Sequence, residues 1–575
     1  MWKHSRYNAI SIDGERRSSV YMAQSRLSIL AVCFVLAYFM VVLRLLDLAI
    51  IQGEVSSYDT ANSKIEKSQD VSAISARRGD IYDRNGFLLA TTLKTPSLFV
   101  DPLLVIDAGS LSDDLAVIIP QLDKSKLDRV LHAKNRFGWI ARNITPAQQQ
   151  DILNLGDPSL GFEYEYKRIY PQGELFAHLV GYTDRDGLGL AGIERSYNDV
   201  LSTGKDVNLT LDLRLQHAVK RELSKAISDF TAIAGAGVIL DAKTGEILAG
   251  VSLPDFNLNT ANKASKNQMF NRLTLGVYEL GSMFKIFSTA ALFDLHDVDM
   301  GKTFDARTPL RVGRFTINDY HAEKRILTVP EVFMHSSNIG SALMGDMIGG
   351  EALRKFYSDL GLLEPMDFDI REIGKPLVPS IWRRSTTLTA SYGHGLATTP
   401  LQMSAAVASV VNGGMLVNPM LVKPSNDNIK SEMRVMSEDT SDKMRKLLRL
   451  VVTKGTGKNA DVKGFAIGGK TGTAEKSVNG RYDRKKLISS FVGAFPMDDP
   501  KYVLMIMVDE PKGNKKSYGY ATAGWVAAPA FARIVTSMAA ILGLPADKYD
   551  PQKDISLELL PYLYDEKGGK KLVSY

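Results

Sequence analysis

The sequence predicts an α+β protein with three parts: a single N-terminal transmembrane helix, a mixed α/β first region, and a larger second region built on an antiparallel sheet flanked by helices. Three observations support this fold class. An uncharged apolar run lies near the N-terminus, and the local composition changes from rich in charged residues to rich in apolar residues near Ala232. The 575 residues also exceed what one hydrophobic core organises, so two or more domains are expected.

The candidate anchor covers residues 27–51. The stretch from Leu27 to Leu43 carries no charge and reaches the lower limit for crossing a hydrocarbon layer of roughly 30 Å. Arg44 can extend its charge to the interface, so the apolar stretch continues to Ile51. The alternatives are a buried core helix and a cleaved signal peptide. The run is hydrophobic all round and no A-x-A-like exit follows it, which favours an uncleaved anchor.

The charges before the anchor predict its orientation. Basic residues outnumber acidic ones there: Lys3, Arg6, Arg16, Arg17 and Arg26 against Asp13 and Glu15. The positive-inside rule therefore places residues 1–26 in the cytoplasm as a short tail and the chain after residue 51 outside. No second apolar run of comparable length follows, so we expect a single-pass topology.

Two regions follow the anchor. Residues 58–226 are charged and contain Asn85-Gly86 between two short apolar runs, which predicts a tight hairpin. Residues 232–545 combine apolar strands with helices that are expected to begin near Ser282 and Leu401. The strands are expected as two antiparallel pairs, 237–240 with 246–249 and 491–495 with 502–508. Residues 546–575 are polar and are expected to form a peripheral tail.

Composition excludes several kinds of site. Cys33 is the only cysteine, so an intramolecular disulfide and a multi-cysteine metal cluster are impossible. The eight histidines show no metal-ligand spacing, and we expect neither a metal nor another cofactor. A net charge of +6 is mild for this length, and no nucleic-acid partner is expected.

A candidate nucleophile lies in the S-x-x-K sequence that ends at Lys285. If a helix begins at Ser282, Lys285 lies one turn along on the same face. A serine hydroxyl needs a base, and a lysine is one when desolvation or a neighbouring cation keeps it partly neutral. The alternative for Ser282 is an ordinary helix N-cap.

Two further motifs complete a candidate site. In the S-x-N sequence, Ser336 offers a hydroxyl for proton relay, and Asn338 offers an amide that can hold the lysine and a substrate peptide group. The K-T-G-T sequence, if it lies on an edge strand, presents an ammonium and hydroxyls to a substrate carboxylate, and Gly472 leaves room for a substrate backbone. The members of this third motif are Lys470, Thr471, Gly472 and Thr473.

Each motif alone is weak because each occurs more than once. Ser202 and Lys205 also form S-x-x-K, but in a charged region with a glycine between them, and a second K-T-G begins at Lys243 in a predicted turn. Further S-x-N matches occur at residues 196–198, 265–267 and 477–479. Order, spacing and context therefore select the set that begins with Ser282.

The ordered set S-x-x-K, S-x-N and K-T-G resembles the signature of the penicilloyl serine transferases. The likeness extends to the class B penicillin-binding proteins and runs from roughly residue 75 to residue 545. The segments that carry it besides the three motifs are 79–86, 170–171, 177–182, 192–194, 278–282 and 391–402.

The resemblance implies a reaction and a role for each motif. Ser282 is implied to attack the penultimate D-alanine carbonyl of a stem peptide, with Lys285 as the general base. Ser336 and Asn338 are implied to complete the proton and hydrogen-bond network. Backbone N–H groups of Ser282 and Thr473 are implied to form an oxyanion hole, and the binding site for the terminal carboxylate is implied to consist of Lys470, Thr471 and Thr473. Beta-lactams are expected to acylate the same serine.

Within class B, residues 469–476 and 489–493 resemble the FtsI-type transpeptidases of cell division. This likeness implies a peptidoglycan cross-linking enzyme of the inner membrane, with a cytoplasmic N-terminus, a non-catalytic dimerisation pedestal at 58–226 and a periplasmic transpeptidase domain at 232–545. The implied partners are peptidoglycan stem peptides and the septal glycan polymerase FtsW, with other division proteins.

The sequence motifs are also compatible with other functions. An elongation-type class B enzyme shares all three motifs, and so does a beta-lactamase or beta-lactam sensor, but no water-activating group for hydrolysis is identified. A non-catalytic division scaffold would have no need of intact motifs. His335 and His394 are better explained by packing or loop hydrogen bonds than by catalysis.

Overall fold

The computed structural model describes residues 32–42, 77–313, 315–423, 433–478, 481–546 and 549–564. Residues 32–42 form a helix within a first unit, Met1–Ala76, and Arg77–Tyr575 form a second. The expected cytoplasmic tail and most of the expected anchor lie outside the described residues. A search of the described helices found none with the length and apolarity needed to span a bilayer.

The described strands of the second unit form two five-stranded sheets and two two-stranded ones. Their bounds are β1 Ile81–Tyr82, β2 Leu88–Val100, β3 Gly138–Ala141, β4 Leu160–Ile169, β5 Val207–Asn208, β6 Ala234–Asp241, β7 Ile247–Leu253, β8 Thr303–Asp305, β9 Leu310–Val312, β10 Phe315–Ile317, β11 Ile326–Thr328, β12 Gly468–Val478, β13 Arg481–Phe495 and β14 Tyr502–Asp509.

The described α-helices of this unit are α1 Ala108–Ile118, α2 Lys124–Leu131, α3 Pro146–Leu155, α4 Ala177–Val180, α5 Gly192–Ser196, α6 Asn198–Ser202, α7 Leu213–Asp229, α8 Lys266–Met269, α9 Lys285–Leu295, α10 Val329–His335, α11 Asn338–Ile348, α12 Gly350–Asp359, α13 Arg384–Ala390, α14 Pro400–Val411, α15 Glu438–Thr453 and α16 Ala527–Leu542. Two 3-10 helices matter below, Gly281–Phe284 and Ile555–Tyr562.

The first sheet has the order β3-β2-β1-β5, with β4 also paired to β2. The hairpin predicted at Asn85-Gly86 is confirmed, because β1 and β2 pair antiparallel across it. The Asp83 carboxylate accepts hydrogen bonds from the backbone N–H groups of Asn85 and Phe87, which holds the turn. Gly86 has a φ of 83°, a conformation that glycine adopts without strain.

A buried ion triad joins the start of the second unit to β4 and α5. The Glu194 carboxylate on α5 accepts from Arg78 Nε and from Arg168 Nε, both at 2.7 Å. All three side chains are at most 6% exposed. Burying a carboxylate is tolerable only when its oxygens are hydrogen-bonded, and each Glu194 carboxylate oxygen accepts from one of the two guanidinium groups.

The second sheet has the order β12-β13-β14-β6-β7, with every neighbouring pair antiparallel. Both predicted strand pairs, and the α+β class of this region, are confirmed. One hydrophobic cluster lies between this sheet and the helices that include α9 and α14, and another lies beneath α7 and α16. The K-T-G-T motif falls on β12, the edge strand, as predicted.

Residues 549–564, which lie in the segment expected to be a peripheral tail, are mostly exposed, but Asp554, Ser556 and Leu559 are buried. Residues 549–564 pack on the second unit, and Leu559 is 2% exposed. The Asp554 carboxylate accepts a 2.7 Å hydrogen bond from Arg449 Nε on α15. Asp554 therefore has a partner inside the protein, which a count of charges along the sequence does not reveal.

Candidate active site

Ser282 and Lys285 lie on consecutive turns of one helical run. Ser282 is in the 3-10 helix Gly281–Phe284, and Lys285 begins α9 and donates its backbone N–H to the Ser282 carbonyl. Side chains three residues apart eclipse in a 3-10 helix, so the two side chains project in the same direction. Met283 and Phe284 point into the core and hold this turn in place.

The backbone around the nucleophile turn is packed too closely to shift freely. Gly393 has a φ of 79°, and a Cβ there would lie 2.1 Å from the Gly281 carbonyl oxygen. A Cβ on Gly472 of β12 would lie 2.5 Å from the Leu280 carbonyl oxygen. The serine turn is therefore held against the edge strand that carries the third motif.

The second motif lies at the junction of two helices. Ser336 terminates α10 in the left-handed conformation, with a φ of 60°, and Ser337 caps the N-terminus of α11. A left-handed serine is uncommon, and such strain is concentrated at functional sites. The sharp reversal brings the Ser336 hydroxyl and the Asn338 amide to the same lysine.

Hydrogen bonds bring the three motifs together around the Ser336 hydroxyl. Lys285 Nζ donates to Ser336 Oγ at 3.1 Å, to Asn338 Oδ1 at 2.8 Å and to the Ser336 carbonyl. Lys470 Nζ donates to the same Ser336 Oγ at 2.9 Å. A hydroxyl has two lone pairs and one hydrogen, so Ser336 can accept from both lysines and still donate its own proton.

Both lysines are completely buried, which changes their protonation. Burial lowers the pKa of Lys285 well below the usual value for lysine, the Lys470 ammonium lowers it further, and the Asp319 carboxylate opposes both. Burial lowers the pKa of Lys470 to about 7. Each lysine therefore loses its proton at a lower pH than a solvated lysine does, which favours a lysine that accepts a proton.

Asp319, which the sequence analysis did not single out, organises the second motif. Its carboxylate accepts from Ser337 Oγ at 2.8 Å, from the Ile339 N–H at 3.0 Å and from the Asn338 N–H. An anion at the first turn of α11 also suits the helix dipole. Asp319 follows the β9–β10 hairpin, 18 residues before Ser337, and no local sequence pattern connects the two.

We expect Asp319→Asn to move the pH profile of serine acylation. The carboxylate raises the pKa of Lys285, so its neutralisation lowers that pKa and populates the neutral amine at lower pH. The rising limb of the rate, measured with a chromogenic beta-lactam, should shift by about one unit toward acid. Asp305→Asn, in an exposed pair with Arg307, is the control and should shift nothing. An unchanged limb, or a shift toward alkaline pH, contradicts the role given to Asp319.

The threonines of the third motif already have partners within the protein. Thr471 Oγ1 lies 2.7 Å from Thr456 Oγ1, and Thr473 Oγ1 accepts from the Ala523 N–H at 3.0 Å. Thr456 and Ala523 are further site neighbours that the sequence analysis missed. Each threonine oxygen keeps hydrogen-bonding capacity for a ligand.

The competing motif copies lie in ordinary structural positions. The second K-T-G is in the turn between β6 and β7, as predicted, where the Asp241 carboxylate accepts from the N–H groups of Lys243 and Thr244. Ser202 ends the short helix α6. Ser265 N-caps α8, Ser196 ends α5, and Ser477 lies in β12.

The two histidines have neighbours that fit the packing role expected of them. His335 Nδ1 is 3.3 Å from a Glu323 carboxylate oxygen. The His394 ring lies 4.7 Å from the Tyr482 ring, measured between centroids, and its Nδ1 is 3.8 Å from a Glu279 oxygen.

A serine in a helical turn, with a buried lysine of lowered pKa one turn along, is the arrangement expected of an acyl-serine transferase with a lysine base. Matches to known protein families agree with this site class. Residues 235–536 match the penicillin-binding protein transpeptidase domain, and residues 73–211 match the penicillin-binding protein dimerisation domain. The chain belongs to the penicillin-binding protein transpeptidases, which confirms the family and reaction class predicted from the motifs.

Individual relatives cover most of the chain. It is 40% identical to the probable peptidoglycan D,D-transpeptidase FtsI of Caulobacter vibrioides over 82% of each chain. It is 30% identical to the peptidoglycan D,D-transpeptidase FtsI of Escherichia coli K12, over 84% of this chain and 86% of that one. Among solved structures it resembles penicillin-binding protein 3 of Mycobacterium tuberculosis in complex with aztreonam, with 26% identity, a TM-score of 0.66, and coverage of 82% of this chain and 97% of that one.

Proposed function

We propose that this protein is a peptidoglycan D,D-transpeptidase that cross-links stem peptides at the division septum. The observation that carries the proposal is the buried Lys285, one turn from Ser282 and hydrogen-bonded to both Ser336 and Asn338. This arrangement supplies the nucleophile, a base with an accessible neutral form, and a hydroxyl for proton transfer. The family, and the names of its FtsI relatives, supply the substrate class and the septal role.

In the acylation step, Ser282 Oγ attacks the carbonyl of the penultimate D-alanine while Lys285 Nζ takes the hydroxyl proton. The oxyanion is stabilised by the backbone N–H groups of Ser282 and Thr473, which carry partial positive charge. The proton passes through the Ser336 hydroxyl to the leaving amine. Terminal D-alanine departs, leaving an ester on Ser282.

In the second step, an amine from a neighbouring stem peptide attacks the ester and restores the serine hydroxyl.

Before acylation, the terminal carboxylate of the donor peptide is assigned to a binding site formed by Lys470, Thr471 and Thr473. Gly472 keeps the edge strand open to the substrate backbone. Beta-lactams acylate the same serine because their strained amide occupies the position of the D-Ala-D-Ala bond.

We also propose the membrane arrangement predicted by the sequence. Residues 27–51 anchor the chain once in the inner membrane, with residues 1–26 cytoplasmic and the body periplasmic. Residues 58–226 form the pedestal and residues 232–545 the transpeptidase domain. FtsW is the proposed partner polymerase, contacting the anchor and the pedestal.

The experiment that tests the reaction uses the full-length protein, with FtsW present and absent, and un-cross-linked glycan strands bearing pentapeptides. We expect cross-linked dimers and stoichiometric D-alanine, with neither product from Ser282→Ala. D-alanine without dimers would indicate a hydrolase, and no D-alanine in either condition would indicate a scaffold. Either result contradicts the proposal.

A further inference from the structure

The C-terminal segment 549–564 reaches two of the three motif-bearing elements. It follows the last residue matched to the transpeptidase family, residue 536, and lies outside the domain bounds expected from sequence. Its contacts nevertheless lead to α10, whose C-cap is Ser336, and to β12, which carries Lys470. Resting on the function proposed above, we propose that this segment is a clamp that positions Ser336 between Lys285 and Lys470.

The first arm of the clamp holds the N-terminus of α10. Thr328 Oγ1 donates to the Tyr562 carbonyl at 2.9 Å, and the Tyr564 N–H donates to Glu331 Oε1 at 2.9 Å. Thr328 and Glu331 form the capping box of α10, and Glu331 is buried and also paired with Arg325 at 2.8 Å. The last described residues of the chain thus complete the cap of this helix.

Movement at that cap is transmitted to the site because α10 is short. It has seven residues, so its two ends are about 10 Å apart. One short helix moves as a rigid body, and Ser336 is the residue at its far end. A tilt at Thr328 therefore displaces the hydroxyl that both lysines contact.

The second arm reaches the edge strand. Asp554 accepts from Arg449 Nε at 2.7 Å, and the same guanidinium donates to the Ile467 carbonyl at 2.7 Å. Ile467 immediately precedes β12, three residues before Lys470. Leu559, buried between the two arms, keeps the segment in place. The first arm thus leads to Ser336 and the second to Lys470, and these two residues are joined by the hydrogen bond from Lys470 Nζ to Ser336 Oγ.

Two truncations of the full-length chain separate the clamp from the polypeptide beyond it. Ending the chain after Pro561 removes Tyr562 and Tyr564 but keeps the Asp554 anchor and Leu559. Ending it after Tyr564 keeps every described contact and is the matched control. Stopped-flow acylation with a fluorescent penicillin gives a rate constant for Ser282 and, from the final amplitude, the fraction of active protein.

We expect the chain ending at Pro561 to acylate about 10- to 100-fold more slowly, with a normal final amplitude, because a misplaced relay slows every molecule. The chain ending at Tyr564 should match the wild type. If the shorter chain loses amplitude while its rate constant is unchanged, the segment contributes only to folding and the proposal is overturned.

A point substitution covers the case in which the shorter chain does not fold. Leu559→Ala loosens the segment and leaves the Thr328–Glu331 capping box of α10 intact, and Leu557→Ala, at an exposed leucine of the same segment, is its control. We expect the Leu559 variant to lose acylation rate and the Leu557 variant to keep the wild-type rate, and equal rates in the two would overturn the proposal. Failure of the wild type itself to form an adduct would instead refute the proposed function and leave the clamp without a reaction to support.

Discussion

Lys285→Met is expected to lower the second-order rate constant for acylation of Ser282 by about 10²- to 10⁴-fold at neutral pH. Methionine fills the same buried volume but has no lone pair that accepts the serine proton. Lys285→Arg should not rescue the rate, because a guanidinium does not release its proton in proteins. The measurement is the rate of adduct formation with benzylpenicillin, followed by intact mass.

The variant should stay folded, and this separates catalysis from stability. Burying an ammonium is unfavourable, so replacing Lys285 with an apolar side chain removes a desolvation cost, while Ser336 and Asn338 each lose a partner. Lys355→Met, at an exposed pair with Asp359, is the matched control and should be unaffected in both assays. A Lys285→Met rate within tenfold of the wild type would contradict a lysine base.

Glu194→Ala is expected to destabilise the second unit by about 3–5 kcal/mol. The substitution leaves Arg78 and Arg168 buried without their shared carboxylate. An uncompensated buried charge costs far more than the loss of an exposed pair. Urea unfolding of the full-length protein, followed by tryptophan fluorescence, measures the change.

The control for this prediction is Asp113→Ala, which breaks the exposed pair between Lys124 and Asp113 in the same region. We expect a loss of no more than about 1 kcal/mol. If the two substitutions lowered the free energy of unfolding equally, water would have to reach the triad, and burial would not explain how much the triad stabilises the protein.

The candidate site was largely predictable because its motifs are local and ordered. Lys285 and Asn338 are 53 residues apart, and Ser336 and Lys470 are 134 apart, yet hydrogen bonds join both pairs. The order S-x-x-K, S-x-N, K-T-G selects these copies over the repeated ones. The strand pairs were also predictable, since apolar runs on either side of a turn signal favour hairpins.

The features that were not predicted each depend on one contact between residues far apart in the sequence. Asp319 meets the second motif because the loop after β10 lies against the N-terminus of α11. The Arg449 and Asp554 partners are 105 residues apart, and neither residue has a distinctive neighbourhood in the sequence. Most of residues 549–564 are exposed, and the composition of this segment does not reveal that Asp554 pairs with Arg449 inside the protein.

Intact-mass spectrometry of the full-length protein and Ser282→Ala, after incubation with benzylpenicillin, tests the central claim most directly. We predict one long-lived penicilloyl adduct in the wild type, mapped to the peptide containing Ser282, and none in the variant. An adduct on another residue, a wild type without any adduct, or rapid turnover of the antibiotic would contradict the assignment of Ser282 as the acylated serine of a transpeptidase.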